Sequence, residues 1–174
     1  YPSVGASVVF SELFKLPETI SYLKLRGSWS QVGNATAPHQ LDRFSSILPG
    51  GNTGYILLSA VLPNKNLRPE KTVSSELGLE ASLLNNRIGL DFTLYKTNTN
   101  DQLFTQVLPV GSGATSYFTN GGNVENKGFE FIISSQPVKT KAFTWDLNIN
   151  FAKNKSLVKS LNSNTTRLVI GSDT

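Results

Sequence analysis

The stretch Glu76-Leu77-Gly78-Leu79-Glu80-Ala81-Ser82-Leu83-Leu84-Asn85-Asn86-Arg87-Ile88-Gly89-Leu90-Asp91-Phe92-Thr93-Leu94 decides how this chain folds. Leu77, Leu79, Ala81 and Leu83 alternate with polar residues or glycine before Asn85-Asn86, and Ile88, Leu90, Phe92 and Leu94 do so after it. Successive side chains of a strand point to opposite faces, so each arm has one apolar and one polar stripe. At 100° per residue the same apolar set would scatter around a helix. Asn tolerates the positive φ that a type I′ turn needs, and a two-residue turn fixes the register. Leu84 then pairs with Arg87, and stepping outward Leu83 faces Ile88, Ala81 faces Leu90, Leu79 faces Phe92 and Leu77 faces Leu94. A slip of one residue destroys all four pairs. On the polar stripe the same register sets Glu80 against Asp91. That like-charge pair is unfavourable unless the face is wet or a neighbouring cation answers it.

Alternation extends along the chain in both directions. In residues 22–32, Leu23, Leu25, Gly27 and Trp29 alternate with Lys24, Arg26, Ser28 and Ser30. Phe129, Phe131 and Ile133 alternate with Glu130 and Ser134, and Ile132 breaks the pattern. Phe143, Trp145, Leu147, Ile149 and Phe151 alternate with Thr144, Asp146, Asn148, Asn150 and Ala152. With a first strand at about 4–10, the expectation is an all-β, antiparallel up-and-down meander of about six strands. Its connections alternate in length: short at about 11–21, 85–86 and 136–142, long and Pro/Gly-rich at about 33–73 and 99–126, with the next loop from about Asn154. Alternate connections of a meander lie at the same end, and outer-membrane barrels show this asymmetry of short and long links. Loops of roughly 30–40 residues are unusual inside a compact soluble domain.

Composition narrows the function. The chain has 174 residues, 16 Lys+Arg against 12 Asp+Glu, a net charge of +4 and 16% charged residues. A charged share below the typical ~25%, with no basic run, argues against a nucleic-acid partner. Zero Cys excludes disulfides and thiolate sites, and one His excludes a multi-histidine metal site within the chain. Met is absent even at position 1, so the chain is not expected to begin where translation begins, and its first residues carry no signal-peptide pattern. No apolar run approaches the ~18 residues of a spanning helix. A mean hydropathy of −0.14 reads as soluble, except that an alternating barrel also averages to a mild value. On the residues alone two readings stand open. One is a soluble β-sandwich with its apolar face inside. The other is a barrel whose strands of about ten residues match a tilted membrane crossing. Trp29, Phe92, Phe143, Trp145 and Phe151 suit either a core or aromatic girdles.

Specific motifs then point one way. Asn66-Leu67-Arg68-Pro69-Glu70-Lys71-Thr72 followed by Glu76-Leu77-Gly78-Leu79-Glu80 resembles a stretch of the SusC/RagA-type TonB-linked outer-membrane receptors (TonB-dependent transporters) of the Bacteroidota. Asn85-Asn86-Arg87-Ile88, Asp91 to Tyr95, Asp101-Gln102-Leu103 and Asn120-Gly121-Gly122-Asn123-Val124-Glu125-Asn126-Lys127-Gly128-Phe129-Glu130 are similar to the same family, in the same order. So are residues 23–29 with 31–34, and Phe143 to Asp146 with Asn150 to Asn154. The likeness covers about 1–161; residues 42–64 and those after Asn162 match no family stretch. It implies a transmembrane barrel of about 22 strands, filled by a plug domain. It further implies active import of oligosaccharides or oligopeptides in a Gram-negative outer membrane, driven by TonB, with a SusD-like surface lipoprotein as partner. On this resemblance residues 1–174 are part of the barrel wall, with the plug and the TonB box outside the chain. No enzyme activity and no cofactor are implied.

The resemblance also assigns faces. Lys24, Arg26, Glu76, Glu80, Asp91, Glu130 and Asp146 are expected in the lumen, against plug or water, which would relieve the Glu80–Asp91 conflict. Leu23, Leu25, Leu77, Leu79, Leu83, Ile88, Leu90, Phe92, Leu94, Phe131, Ile133, Trp145, Leu147 and Ile149 are expected to meet lipid. Arg43, Tyr55, Phe104, Tyr117 and Phe118 are loop side chains suited to stack on sugars or peptides, or to pack loop on loop. Pro69-Glu70-Lys71 and Asn126-Lys127-Gly128 read as strand-entry structure. His39, Gly111-Ser112-Gly113 and the group Asn98, Asn100 and Asp101 read as loop or turn rather than ligand sites, and Asn34-Ala35-Thr36 and Asn164-Thr165-Thr166 match only a glycosylation pattern. The competing functions are a soluble β-sandwich adhesin or carbohydrate-binding module and, more remotely, a glycosidase using Glu80 and Asp91.

Overall fold

The computed structural model describes residues 1–38, 40–51 and 53–161, so His39 and the Asn164-Thr165-Thr166 pattern lie outside the described residues. The elements in chain order are β1 (Ser3–Val9), α1 (Phe10–Leu13), β2 (Ile20–Asn34), β3 (Ser45–Leu48), β4 (Tyr55–Leu58), β5 (Val61–Leu62) and β6 (Glu70–Leu83). They continue with β7 (Ile88–Asn100), β8 (Leu103–Val107), a 3-10 turn at Val110–Ser112, β9 (Ser116–Asn120), β10 (Asn123–Lys139) and β11 (Thr144–Ser160). Six strands form one sheet in the order β1-β2-β6-β7-β10-β11, the antiparallel meander that the alternation implied. The described residues divide into two units: those of 1–32, 72–98 and 125–157 form the first, and those of 33–71, 99–124 and 158–161 the second.

In the first unit, β1 pairs with β2 from Ser3↔Ser30 to Val9↔Lys24. At the β6–β7 turn Asn85 and Asn86 sit at φ 55° and 63°, and the Arg87 amide donates to the Leu84 carbonyl at 3.3 Å, as expected. But Leu84 is also at φ 53° and its amide donates to the Thr19 carbonyl at 2.8 Å, so the expected Leu84–Arg87 strand pair gives way to a turn over residues 84–87. The strands end at Leu83 and begin at Ile88, one residue short on each side of the expected two-residue loop. The β10–β11 turn is equally tight. The Thr140 amide donates to the Phe143 carbonyl at 2.8 Å, and the Thr140 hydroxyl accepts from the Phe143 amide at 2.9 Å. This turn pairs an even with an odd position, whereas the rings of Phe129 and Phe151, both odd, lie 5.7 Å apart on one face. The parity change requires one extra residue on a strand, a β-bulge. The extra residue lies between the Phe129–Phe151 contact and the turn.

Several boundaries differ from the sequence expectation. Phe10 opens a short helix rather than ending the first strand, and β11 runs to Ser160 rather than stopping near Asn154. In the second unit the stretches read as Pro/Gly-rich loops hold their own strands. β3 and β4 make a hairpin, Ser45↔Leu58 to Leu48↔Tyr55, closed by a hydrogen bond from the Gly54 amide to the Gly50 carbonyl with Gly51 and Gly54 at positive φ. β5 pairs in parallel with β9 (Val61↔Ser116, Leu62↔Tyr117), and β8 pairs antiparallel with β9, so both long connections meet in one small sheet. Runs of two to five residues between Pro and Gly are too short to show a period.

Among the described residues the only buried hydrophobic side chain is Ala114. Leu77, Leu79, Leu94, Trp145 and Ile149 are 49, 41, 43, 50 and 47% exposed. An amphipathic sheet normally buries its apolar face against a second layer. The described part of this sheet has none.

Candidate functional site

The polar stripe of the first unit is organised around Arg26. Its Nη1 donates to Glu80 Oε1 at 2.5 Å and to Asp91 Oδ2 at 3.2 Å. Its Nη2 donates to Asp91 Oδ1 at 3.3 Å and to the Thr93 hydroxyl at 2.6 Å, and that hydroxyl donates on to Asp91 Oδ1. Lys24 Nζ approaches both Glu80 oxygens at 3.2 and 3.5 Å, and Glu76 lies 3.8 Å from Arg26 Nε. The guanidinium is therefore the cation that answers the Glu80–Asp91 pair. Arg26 starts on β2, Glu80 is on β6 and Asp91 on β7, so its side chain crosses a whole strand; strands lie about 4.8 Å apart. Gly78 makes the crossing possible, because a Cβ there would collide with the Arg26 side chain.

Five of the seven expected lumen residues, Lys24, Arg26, Glu76, Glu80 and Asp91, thus form one half-buried network. Glu130 is exposed and not part of it, and Asp146 instead accepts from Gln136 Nε2 at 2.8 Å. A second crossing lies on the same stripe. Tyr95 reaches from β7 over Gly128 of β10 to hydrogen-bond Asn154 Oδ1 of β11 at 3.3 Å. A Cβ on Gly128 would sit 2.6 Å from the Tyr95 hydroxyl oxygen and collide with the Lys153 carbonyl. The Gly128 of the sequence motif is thus a clearance for an aromatic ring, a known way to support glycine in a sheet.

The apolar stripe is continuous. Phe92 lies 6.1 Å from Phe129 and 6.4 Å from Phe131, and Phe129 5.7 Å from Phe151, within the range of favourable ring pairs. Leu147 is 36% exposed, and Leu23, Leu25, Leu83, Ile88, Leu90, Phe92, Phe131 and Ile133 are intermediate. Sequence reasoning overlooked Glu125. Its side chain is only 4% exposed and is flanked by Lys96 Nζ at 3.2 Å and Lys127 Nζ at 3.6 Å. The signal was available, because Glu125 stands two and four positions from Lys127 and Phe129 and so shares their face.

In the second unit the motif residues act as fasteners. Asn120 accepts from the Arg68 amide at 2.7 Å and donates to the carbonyls of Arg68 and Asp101 at 2.6 and 2.8 Å. Arg68 also pairs with Asp101 at 2.6 Å, and Glu70 accepts from the Leu103 amide and from Asn34. Of the loop candidates, Arg43 is bonded to the Ser59 carbonyl, and Tyr55 is exposed at the start of β4. Phe104 stands opposite Thr119 and Tyr117 opposite Gln106 in the small sheet. Phe118 lines a cavity of about 300 Å³ with Phe44, Asp42 and Gln40. Among the described residues no cluster suits a metal ion, and no helix is long and apolar enough to cross a membrane.

Comparison with known proteins fits this geometry. Residues 1–170 match the family model described as TonB dependent receptor-like, beta-barrel. TonB-dependent receptor P3 of Formosa agariphila is 36% identical over 167 residues, covering 92% of this chain and 17% of that protein. TonB-dependent receptor SusC of Bacteroides thetaiotaomicron is 33% identical over 172 residues, again 92% and 17%. The solved RagAB peptide transporter superposes with a TM-score of 0.83 at 24% identity, over 91% of this chain and 18% of that one, a likeness of fold. The chain thus spans about a fifth or less of the length of these relatives. By sequence, and with a fold to match, this chain belongs to the TonB-dependent receptor-like β-barrel family.

Proposed function

We propose that this chain is a run of strands in the wall of an outer-membrane, TonB-dependent importer of oligosaccharides or oligopeptides that works with a SusD-like surface lipoprotein. Family membership supports it, as do the relatives SusC and the RagAB peptide transporter. The observation that carries it is the pair of opposed stripes: an apolar face without a second layer, backed by a charged, internally bonded face. A lipid solvent accepts the first and an aqueous bore the second. In this reading Arg26, Glu80, Asp91 and their neighbours, with Glu130 and Asp146, look into the bore toward the plug, and the leucines and aromatic rings of the other stripe meet hydrocarbon. The connections at about 11–21, 85–86 and 136–142 are periplasmic. Those at about 33–73 and 99–126 are outward, and the cavity beside Phe118 is where cargo or the lipoprotein makes contact. The chain is a transport element and not an enzyme.

The experiment deletes TonB in the native host and, separately, replaces the receptor by an inactive copy. Both strains should lose growth on the same polymeric nutrient, and affinity purification of the receptor should recover a surface lipoprotein. Growth that survives loss of TonB, or a receptor that purifies alone, contradicts the proposal.

A further inference from the structure

Beyond the end of the apolar stripe the pleat carries four lysines. Lys96 follows Leu94 on β7, Lys127 precedes Phe129 on β10, and Lys153 and Lys155 follow Phe151 on β11, all at two-residue steps and so on the apolar face. Contacts fix that face independently. The rings of Phe92, Phe129 and Phe151 form a chain across three strands, while Asn154, between the two β11 lysines, turns the other way to Tyr95. Lys96 and Lys127 both reach Glu125, yet stay 60% and 57% exposed while the carboxylate is 4% exposed. The buried acid therefore holds two ammonium groups at the rim without covering them. Four positive charges against this one negative leave the patch at +3. Directly beside it, Leu77, Leu94 and Phe129 line an open apolar groove of about 480 Å³ whose edge includes Lys96 and Lys127.

Lysines that merely snorkel to water need neither a shared buried acid nor a groove beside them. An apolar slot capped by ammonium groups complements a molecule with a hydrocarbon tail and an anionic head. We propose that this face holds a phosphate-bearing membrane lipid, its acyl chain along Leu77, Leu94 and Phe129 and its phosphate among the four lysines. The inference rests on the outward orientation given under Proposed function.

The test is native mass spectrometry of the full-length receptor in detergent, titrated with dioleoyl phosphatidic acid or dioleoyl phosphatidylcholine. Phosphatidic acid should bind more tightly than phosphatidylcholine. Lys153→Gln with Lys155→Gln, or Lys96→Gln with Lys127→Gln, should weaken phosphatidic acid by about tenfold and leave phosphatidylcholine unchanged. Each variant should retain the heat-dependent gel shift of a folded barrel. Equal binding of the two lipids, unchanged affinity in both variants, or complete displacement by millimolar inorganic phosphate overturns the inference. A spin label at Leu90→Cys separates it from the reading beneath. With the label accessible to oxygen, unchanged lipid affinity in the lysine variants overturns this inference alone. A label accessible to a water-soluble nickel reagent overturns the orientation and this inference together.

Discussion

Replacing Arg26 by Met removes the guanidinium that stands between Glu80 and Asp91 and keeps most of the aliphatic stem. The two carboxylate oxygens bound to the same Nη1 are at most 5.7 Å apart, the sum of its two bond lengths. At about 5 Å, like unit charges repel by about 0.8 kcal/mol in bulk water and about 3 kcal/mol at an effective dielectric of ~20. Side-chain exposures of 28% and 36% place this pair between those limits. Loss of the charge-assisted bonds to Glu80, Asp91 and Thr93 adds to the cost, discounted because the group is partly solvated. The expected destabilisation is about 2 kcal/mol, a factor of about 30 in the unfolding equilibrium or rate. Urea unfolding of the full-length receptor, read by the gel shift of the folded barrel, measures it. Asp91→Asn alone should cost less, and in the Arg26→Met background it should recover about half the loss, the signature of coupled residues. If Arg26→Met matches the parent protein, or if the two substitutions simply add, the guanidinium does not offset the carboxylate pair.

Three further outcomes follow from close contacts. Gly128→Ala places a methyl against the Tyr95 hydroxyl and the Lys153 carbonyl and should cost about 1–3 kcal/mol by the same unfolding assay; Tyr95→Phe should cost well under half of that. Asn120→Ala strips three hydrogen bonds from Arg68 and Asp101, so limited proteolysis should cut within residues 99–124 severalfold faster than in the parent protein. At the β6–β7 turn, Asn86→Gly should be close to neutral and Asn86→Ala should slow refolding and cost about 1 kcal/mol, because φ at that position is 63°.

How much of this was legible in the sequence depended on whether a residue's role was set by period or by reach. The Asn85-Asn86 hairpin was legible because alternation and turn chemistry agree there; the positive φ of Leu84, whose amide bonds to Thr19 instead, was not. The conflict between Glu80 and Asp91 was legible too, with a wet face or a nearby cation as its two resolutions, but not that Arg26 answers it. Its side chain crosses an intervening strand, and the only sequence sign is the bare Gly78 beneath it. Gly128 under Tyr95 is the same case. Glu125 adjoins the strand-entry motif Asn126-Lys127-Gly128 without belonging to it, and only its parity places it with Phe129. β3 to β5 and β8 to β9 were illegible, since runs this short are specified by partners distant in sequence, such as Ala60 accepting from the Thr115 amide. The end of β11 is illegible because Asn154 and Ser156 are residue types common in loops, whereas the strand continues to Ser160.

The most direct measurement is a nitroxide scan through positions 77–83 and 88–94 of the full-length receptor in lipid bilayers, comparing accessibility to oxygen with accessibility to a water-soluble nickel complex. The account predicts a strict alternation, with oxygen favoured at Leu77, Leu79, Phe92 and Leu94 and nickel favoured at Gly78, Glu80, Asp91 and Thr93. Equal shielding of the leucine positions from both reagents, as in a packed protein interior, would contradict it.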